Sequence, residues 1–181
     1  MRADAQENRQ RILAAAEAVF GEMGVAGSTE EVARRAGVGA GTVFRHFPTK
    51  DDLVAAALVA HFDELTAQAQ AAATEPDAAK GLRRLVRTMI ETGAVKVRLL
   101  ELLRAGGEPP SSVAAASGEL RDAVGTVLRR AQRAGAVRRS VSVDEVYLLI
   151  RGLAQASASQ PTSARTLTRA VDVVLDGLAA R

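Results

Sequence analysis

Between positions 32 and 50 the sequence carries Arg34, Arg35, Arg45 and Lys50 and no acid, on a chain whose formal net charge is only +3. Guanidinium and ammonium groups at this density neutralise phosphates, so a basic run on a near-neutral chain reads as a footprint for a polyanion. The same run also fits a solvated helix face. Other chemistries are poorly provided for. There is no cysteine and there are two histidines. A nucleophile–base pair would therefore rest on His46 or His61, and neither has a Ser or Asp in a recognisable arrangement beside it. No glycine-rich phosphate cradle and no metal-ligand spacing of His and carboxylates is present. The sequence predicts no catalytic residue, no metal site and no cofactor, and therefore not an enzyme.

The elements that must position the basic run are helical. Aromatics make up 3% of the 181 residues, and four of the five (Phe20, Phe44, Phe47, Phe62) fall in the first 62. The remainder packs with Leu, Val, Ile and Ala, and no alternating strand pattern bounded by turns occurs, so the fold class is all-α with about nine helices. Ile12, Ala16, Val19, Phe20 and Met23 recur at helical spacing over a first helix from about Asp4 to Met23. Ser28-Thr29-Glu30-Glu31 is a capping box, with Ser28 accepting from the Glu31 amide and Glu31 reaching back. The helix it opens ends at Ala36, where Gly37 supplies a left-handed turn. A short helix from Ala40 to Phe47 follows, stopped by Pro48. Thr49 and Asp52 cap a long fourth helix to about Ala73. Pro76 opens the fifth, the stretch 105–112 is a loop, and Ser142-Val143-Asp144-Glu145 is a second capping box. No run approaches the roughly 20 apolar residues of a membrane helix. The N-terminus has no signal-peptide pattern, so the expected location is cytoplasmic.

Two short helices joined by a tight glycine turn form a helix-turn-helix, whose second helix can lie in a DNA major groove while the first braces it. Gly39, Ala40, Gly41 and Thr42 lead that second helix, and their small size lets backbone approach DNA closely. The stretch EVARRAGVGAGTVFRHFPTKDDL, residues 31–53, resembles the signature of the TetR family of transcriptional regulators almost throughout. The likeness is strong over about residues 8–60, and the helix lengths beyond agree with it. The resemblance implies an N-terminal helix-turn-helix DNA-binding domain, residues 1–50, and a helical effector-binding and dimerisation domain, residues 51–181. It also implies roles by position. Ser28 and Thr29 start the bracing helix beside the DNA backbone, and Ala40, Gly41 and Thr42 sit where the family reads base edges. Arg45, His46 and Thr49 are further contacts, and Lys50 matches the family's phosphate-clamping lysine. Phe44 departs from the pattern, because the family usually has Tyr there and its hydroxyl bonds a phosphate. Phe44 either packs against sugar or a thymine methyl, or belongs to the core. With little polar side chain at the front of the helix, Arg2, Arg9 and Arg11 of the N-terminal arm and DNA shape are expected to share in recognition.

For the C-terminal part the resemblance implies a ligand pocket among helices four to seven. The lining candidates are His61, Phe62, Leu85, Met89, Thr92, Arg98, Leu99, Leu103 and Val127, each of which also fits ordinary core. Tyr147, the one phenol of the chain, flanks an apolar stripe and reads as packing. Leu149, Ile150 and Leu153, with Leu167, Val171, Val174 and Leu178, give apolar stripes on the last two helices, and two copies could pair them as a four-helix bundle. The expected function is a DNA-binding regulator, a repressor released from a near-palindromic operator by a small apolar effector, acting as a homodimer. The rival is a helical adaptor that binds protein, its basic run incidental.

Overall fold

The computed structural model describes residues 2–180, with the side chains of 2–4 outside the description. Among the described residues there are nine α helices and no strand. They are α1 (Arg2–Met23), α2 (Thr29–Ala36), α3 (Ala40–His46), α4 (Lys50–Thr74), α5 (Ala78–Glu91), α6 (Gly93–Gly106), α7 (Ser111–Arg133), α8 (Val143–Ser159) and α9 (Ala164–Leu178). A single 3-10 turn, Gly24–Ala26, follows α1. None of the helices is long and apolar enough to cross a membrane.

The caps set these limits. The Ser142 hydroxyl accepts from the Glu145 amide and the Glu145 carboxylate returns to Ser142, a complete capping box that starts α8. Ser28 accepts from the Glu31 amide at 3.1 Å, but the return bond is absent. Glu31 instead binds Arg34 and Arg35, a stronger pair of charge-assisted bonds than one to a backbone amide. Pro76 lies before α5 rather than opening it. Asp77 is the cap, accepting from the Lys80 amide at 3.0 Å, because its carboxylate satisfies a helix-start donor that Pro76 cannot reach.

The chain forms two compact units. The first comprises Met1–His61 with Val95–Ala114, the second Phe62–Ala94 with Ala115–Arg181. In the first, α2 packs on α1 and α3 on α2. Ile12, Ala16, Val19 and Phe20 of α1, Val32 and Ala33 of α2, and Val43 and Phe47 at α3 are all buried. Burial of each large apolar side chain here contributes about 1.5–3 kcal/mol before entropy is counted. In the second unit α5 packs on α8 and α9, and α8 on α9. Arg83 and Arg87 of α5 pair with Asp172, and Arg83 also with Asp176. Val171, Leu175 and Leu178 form the buried face of α9.

Candidate nucleic-acid interface

The recognition unit starts from Gly37. Its φ of +65° lies in the left-handed region, which costs a residue with a Cβ about 1–2 kcal/mol. The turn closes with the Val38 amide on the Ala33 carbonyl at 3.0 Å and the Gly37 amide on the Arg34 carbonyl at 3.2 Å. These are the two bonds of a Schellman motif, and they satisfy carbonyls that the helix end leaves open. Arg11 reaches across from α1 and donates to the carbonyls of Ala36 and Gly37. Its guanidinium is thus a C-cap of α2. The Arg2 side chain lies outside the described residues. Arg9 stacks its guanidinium over the Phe47 ring, 5.4 Å from the centroid.

The outer face of α3 presents Ala40, Gly41, Phe44 and Arg45 to solvent, with Thr42 and His46 half-buried beside them. Val43 and Phe47, four residues apart, are the face turned to the core. Phe44 is 45% exposed. It is therefore not core of the single chain. The His46 ring lies 6.2 Å from that of Phe47. Ser28 is the α2 cap. Thr29 opens that helix and is only 8% exposed.

The basic run is not a uniform positive surface. Glu31 takes Arg34 and Arg35, and Arg35 also takes Glu22 at 2.7 Å. The two guanidiniums hold the Glu31 carboxyl well below its ordinary 4.5, at about 2. Lys50 donates to the carbonyls of Gly27 at 2.7 Å and Val25 at 3.4 Å, with its ammonium 5.3 Å above the centre of the Phe20 ring. It ties the start of α4 to the turn before α2. An ammonium has three donors, so this tie is compatible with a phosphate taken by the third. Thr49 and Asp52 cap α4 reciprocally, the two side chains 2.7 Å apart and each accepting from the other's amide.

The residues expected to line a ligand pocket are divided between the units. Phe62, Leu85, Met89, Thr92 and Val127 belong to the second, and His61, Arg98, Leu99 and Leu103 to the first. All but Thr92 and Arg98 are buried. The polar members already have protein partners. His61 Nδ1 is 2.7 Å from the Glu17 carboxylate, Thr92 donates to the Thr88 carbonyl at 2.9 Å, and Arg98 donates to the carbonyl of Gly21.

Of the residues read as a dimer face, Ile150, Val171 and Leu178 are buried within the single chain, while Leu153, Leu167 and Val174 are half-buried. The exposed apolar side chains on these helices are Leu148, Leu149 (37% exposed) and Val173 (72% exposed), and Gly152 and Gly177 have open space where a Cβ would stand. Sequence periodicity missed Leu148 and Val173 because it marks an apolar stripe without saying what covers it. Tyr147 is partly buried under Arg121 of α7, 5.4 Å from its ring centre, and burial pushes its hydroxyl up to about 12.

A family model described as bacterial regulatory proteins, tetR family, matches residues 12–57, and one described as transcriptional regulator SbtR-like, C-terminal domain, matches residues 75–180. The crystal structure of a TetR transcriptional regulator from Streptomyces coelicolor is similar at 30% identity, over 95% of this chain and 98% of that one, with a TM-score of 0.82. That of a TetR transcription regulatory protein from Mycobacterium vanbaalenii is similar at 33% identity, over 99% of each chain, with a TM-score of 0.81. An HTH-type transcriptional regulator of Staphylococcus aureus is 50% identical over 54 residues, 29% of this chain. The match spans 29% of the length of that curated relative.

Proposed function

Because the chain belongs to the TetR family of bacterial transcriptional regulators, a family of regulators and not of enzymes, we propose that it binds double-stranded DNA as a homodimer and represses transcription until a small apolar molecule releases it. The observation that carries this reading is the outer face of α3. A short helix, braced by α2 through a left-handed glycine turn, holds Ala40, Gly41, Phe44 and Arg45 exposed to solvent among the described residues.

In this reading Ala40 and Gly41 let the α3 backbone approach base edges, Thr42 supplies a hydroxyl, and the Phe44 ring lies on a sugar or a thymine methyl. Arg45, Arg9 and the third donor of Lys50 take phosphates, with Ser28, Thr29, His46 and Thr49 bordering the backbone. Residues 1–50 form the DNA-reading domain and residues 51–181 the effector and dimer domain. The exposed Leu148, Leu149 and Val173, with the bare surface at Gly152 and Gly177, favour pairing of two copies across α8 and α9, with Leu153, Leu167 and Val174 at the margin. A two-fold pair requires a near-palindromic operator with half-sites about one DNA turn apart, or a small multiple of it. The effector occupies the aliphatic interior of the second unit, near Phe62, Leu85, Met89 and Val127. Such a ligand changes DNA affinity typically about 5–150-fold, and by linkage the operator weakens ligand binding by the same factor. The protein acts in the cytoplasm, with the DNA.

Selection of duplexes from a random pool by the purified full chain tests the reading. Enrichment of an inverted repeat supports it. Recovery of no sequence above background, with the chain folded, refutes it.

A further inference from the structure

From Val95 onward helix α6 lies in the same compact unit as α1–α3, and it makes specific contacts there near Val95 and at Gly106. Near its start, Val95 presses on Gly21 of α1, where a Cβ would stand 3.0 and 3.2 Å from the two Val95 methyls. One turn on, at the spacing that stacks side chains on one helix face, Arg98 donates to the carbonyl of that same Gly21. Gly21 is in the last turn of α1, among the carbonyls that an α-helix leaves without an internal partner. A cation at that end is also favoured by the helix dipole. At the other end of α6, Gly106 sits against the carboxylate of Asp51, close enough that a Cβ would overlap it. Asp51 adjoins Lys50, whose ammonium holds the turn before α2.

We infer that Arg98 is a positioning residue of the DNA-reading unit, which sets α1, and through it α2 and α3, against α6. This rests on the reading of α3 as the DNA-contacting helix. The bond to Gly21 engages one of the five guanidinium donors and directs that end of the side chain to α1. The two bare glycine seats make α6 a strut whose displacement is felt both at the end of α1 and at the start of α4. Because α1 packs on α2 and α2 on α3, a guanidinium at the far end of α1 acts on the recognition helix with no contact to DNA. A lysine in its place keeps the charge but loses the planar fork and part of the reach.

The test uses the full chain with Arg98→Met, which keeps most of the apolar stem, and Arg98→Lys as a second variant should the first fail to fold. Amide hydrogen exchange is read without DNA at residues 18–26 and, as reference, along α8. Affinity is read on the duplex that wild type selects from a random pool. The expected result is exchange about tenfold faster over 18–26 with α8 unchanged, and affinity for the duplex lowered about tenfold at unchanged salt slope, since no phosphate contact is lost. Exchange equal to wild type would overturn the seat itself. Faster exchange with undiminished affinity would show that Arg98 caps α1 without positioning α3, and would overturn the inference. Selection of no duplex by wild type would instead count against the DNA reading, and the exchange result would still decide whether Arg98 holds α1.

Discussion

Replacing Gly37 by alanine probes the turn on which the recognition unit depends. The φ of +65° at this position costs an alanine about 1–2 kcal/mol. The new Cβ would also stand 2.7 Å from Nη2 of Arg11, the guanidinium that caps the Ala36 and Gly37 carbonyls. That group is the end of a flexible side chain on the surface and can move, at the cost of part of its hydrogen bonding, about 1 kcal/mol. Alanine stiffens the unfolded chain and returns about 0.4–1 kcal/mol. The net expectation is a loss of about 1–2.5 kcal/mol, a fall in melting temperature of roughly 2–10 °C for a chain of this size. Two controls separate the terms. Gly135 has a φ of +73° with nothing within 4 Å of a Cβ, so Gly135→Ala should cost only the strain less the entropy, about 0–1.5 kcal/mol. Gly39 has a φ of −71° and its nearest neighbour is 4.0 Å away, so Gly39→Ala should fall within about 0.5 kcal/mol of wild type. The assay is urea unfolding followed by far-UV circular dichroism, with midpoints compared at constant m. Gly37→Ala indistinguishable from Gly39→Ala, or milder than Gly135→Ala, would refute the reasoning.

Phe44→Tyr should tighten binding to the selected duplex by about 0.5–1.5 kcal/mol, by adding a donor beside a phosphate, without loss of stability because the ring is exposed. Titration of the duplex by fluorescence anisotropy checks this, and weaker binding would mean that the ring enters an apolar contact. Leu149→Arg and Val173→Arg should each yield monomers by light scattering, whereas dimers in both would place the interface away from the outward face of α8 and α9. The folded pKa of Glu31, about 2, lies below its ordinary 4.5. Its ion pairs with Arg34 and Arg35 therefore contribute stability that is fully present above pH 4.5 and lost as pH falls toward 2. Carboxyl NMR should show Glu31 titrating near 2, and a midpoint at the ordinary value would show that the pairs do not persist in solution.

Local chemistry made much of this fold legible in the sequence. Ser28, Gly37, Thr49 with Asp52, and the Ser142 box announce helix ends because each signal acts within four residues of where it stands. The inward faces of α2 and α3 follow from helical spacing alone, and the structure buries Val32, Ala33, Val43 and Phe47 as that spacing implies. What the sequence withheld is long-range. Arg11, Lys50 and Arg98 each end on a backbone carbonyl 23 to 77 positions away. A carbonyl carries no residue-type signature, so no pattern of side chains points to it. Arg34 and Arg35 fit both a phosphate footprint and a solvated face in the sequence, and their pairing with Glu31 and Glu22 is visible only in the structure. Ile150, Val171 and Leu178 carry the periodicity of an apolar stripe and are buried within the single chain, and periodicity does not say whether the chain itself or a partner covers such a stripe. The inclusion of α6 with α1–α3 depends on contacts made at Gly21 and Gly106, where the informative feature is a missing side chain.

The central claim, that the outer face of α3 reads DNA, is tested most directly by Thr42→Val titrated against the selected duplex and a random duplex over a range of salt. The account predicts that wild type binds both with affinity falling steeply as salt rises. It predicts that Thr42→Val loses about 1–3 kcal/mol on the selected duplex only, with the same salt slope as wild type. Equal loss on both duplexes, or binding indifferent to salt, would contradict it.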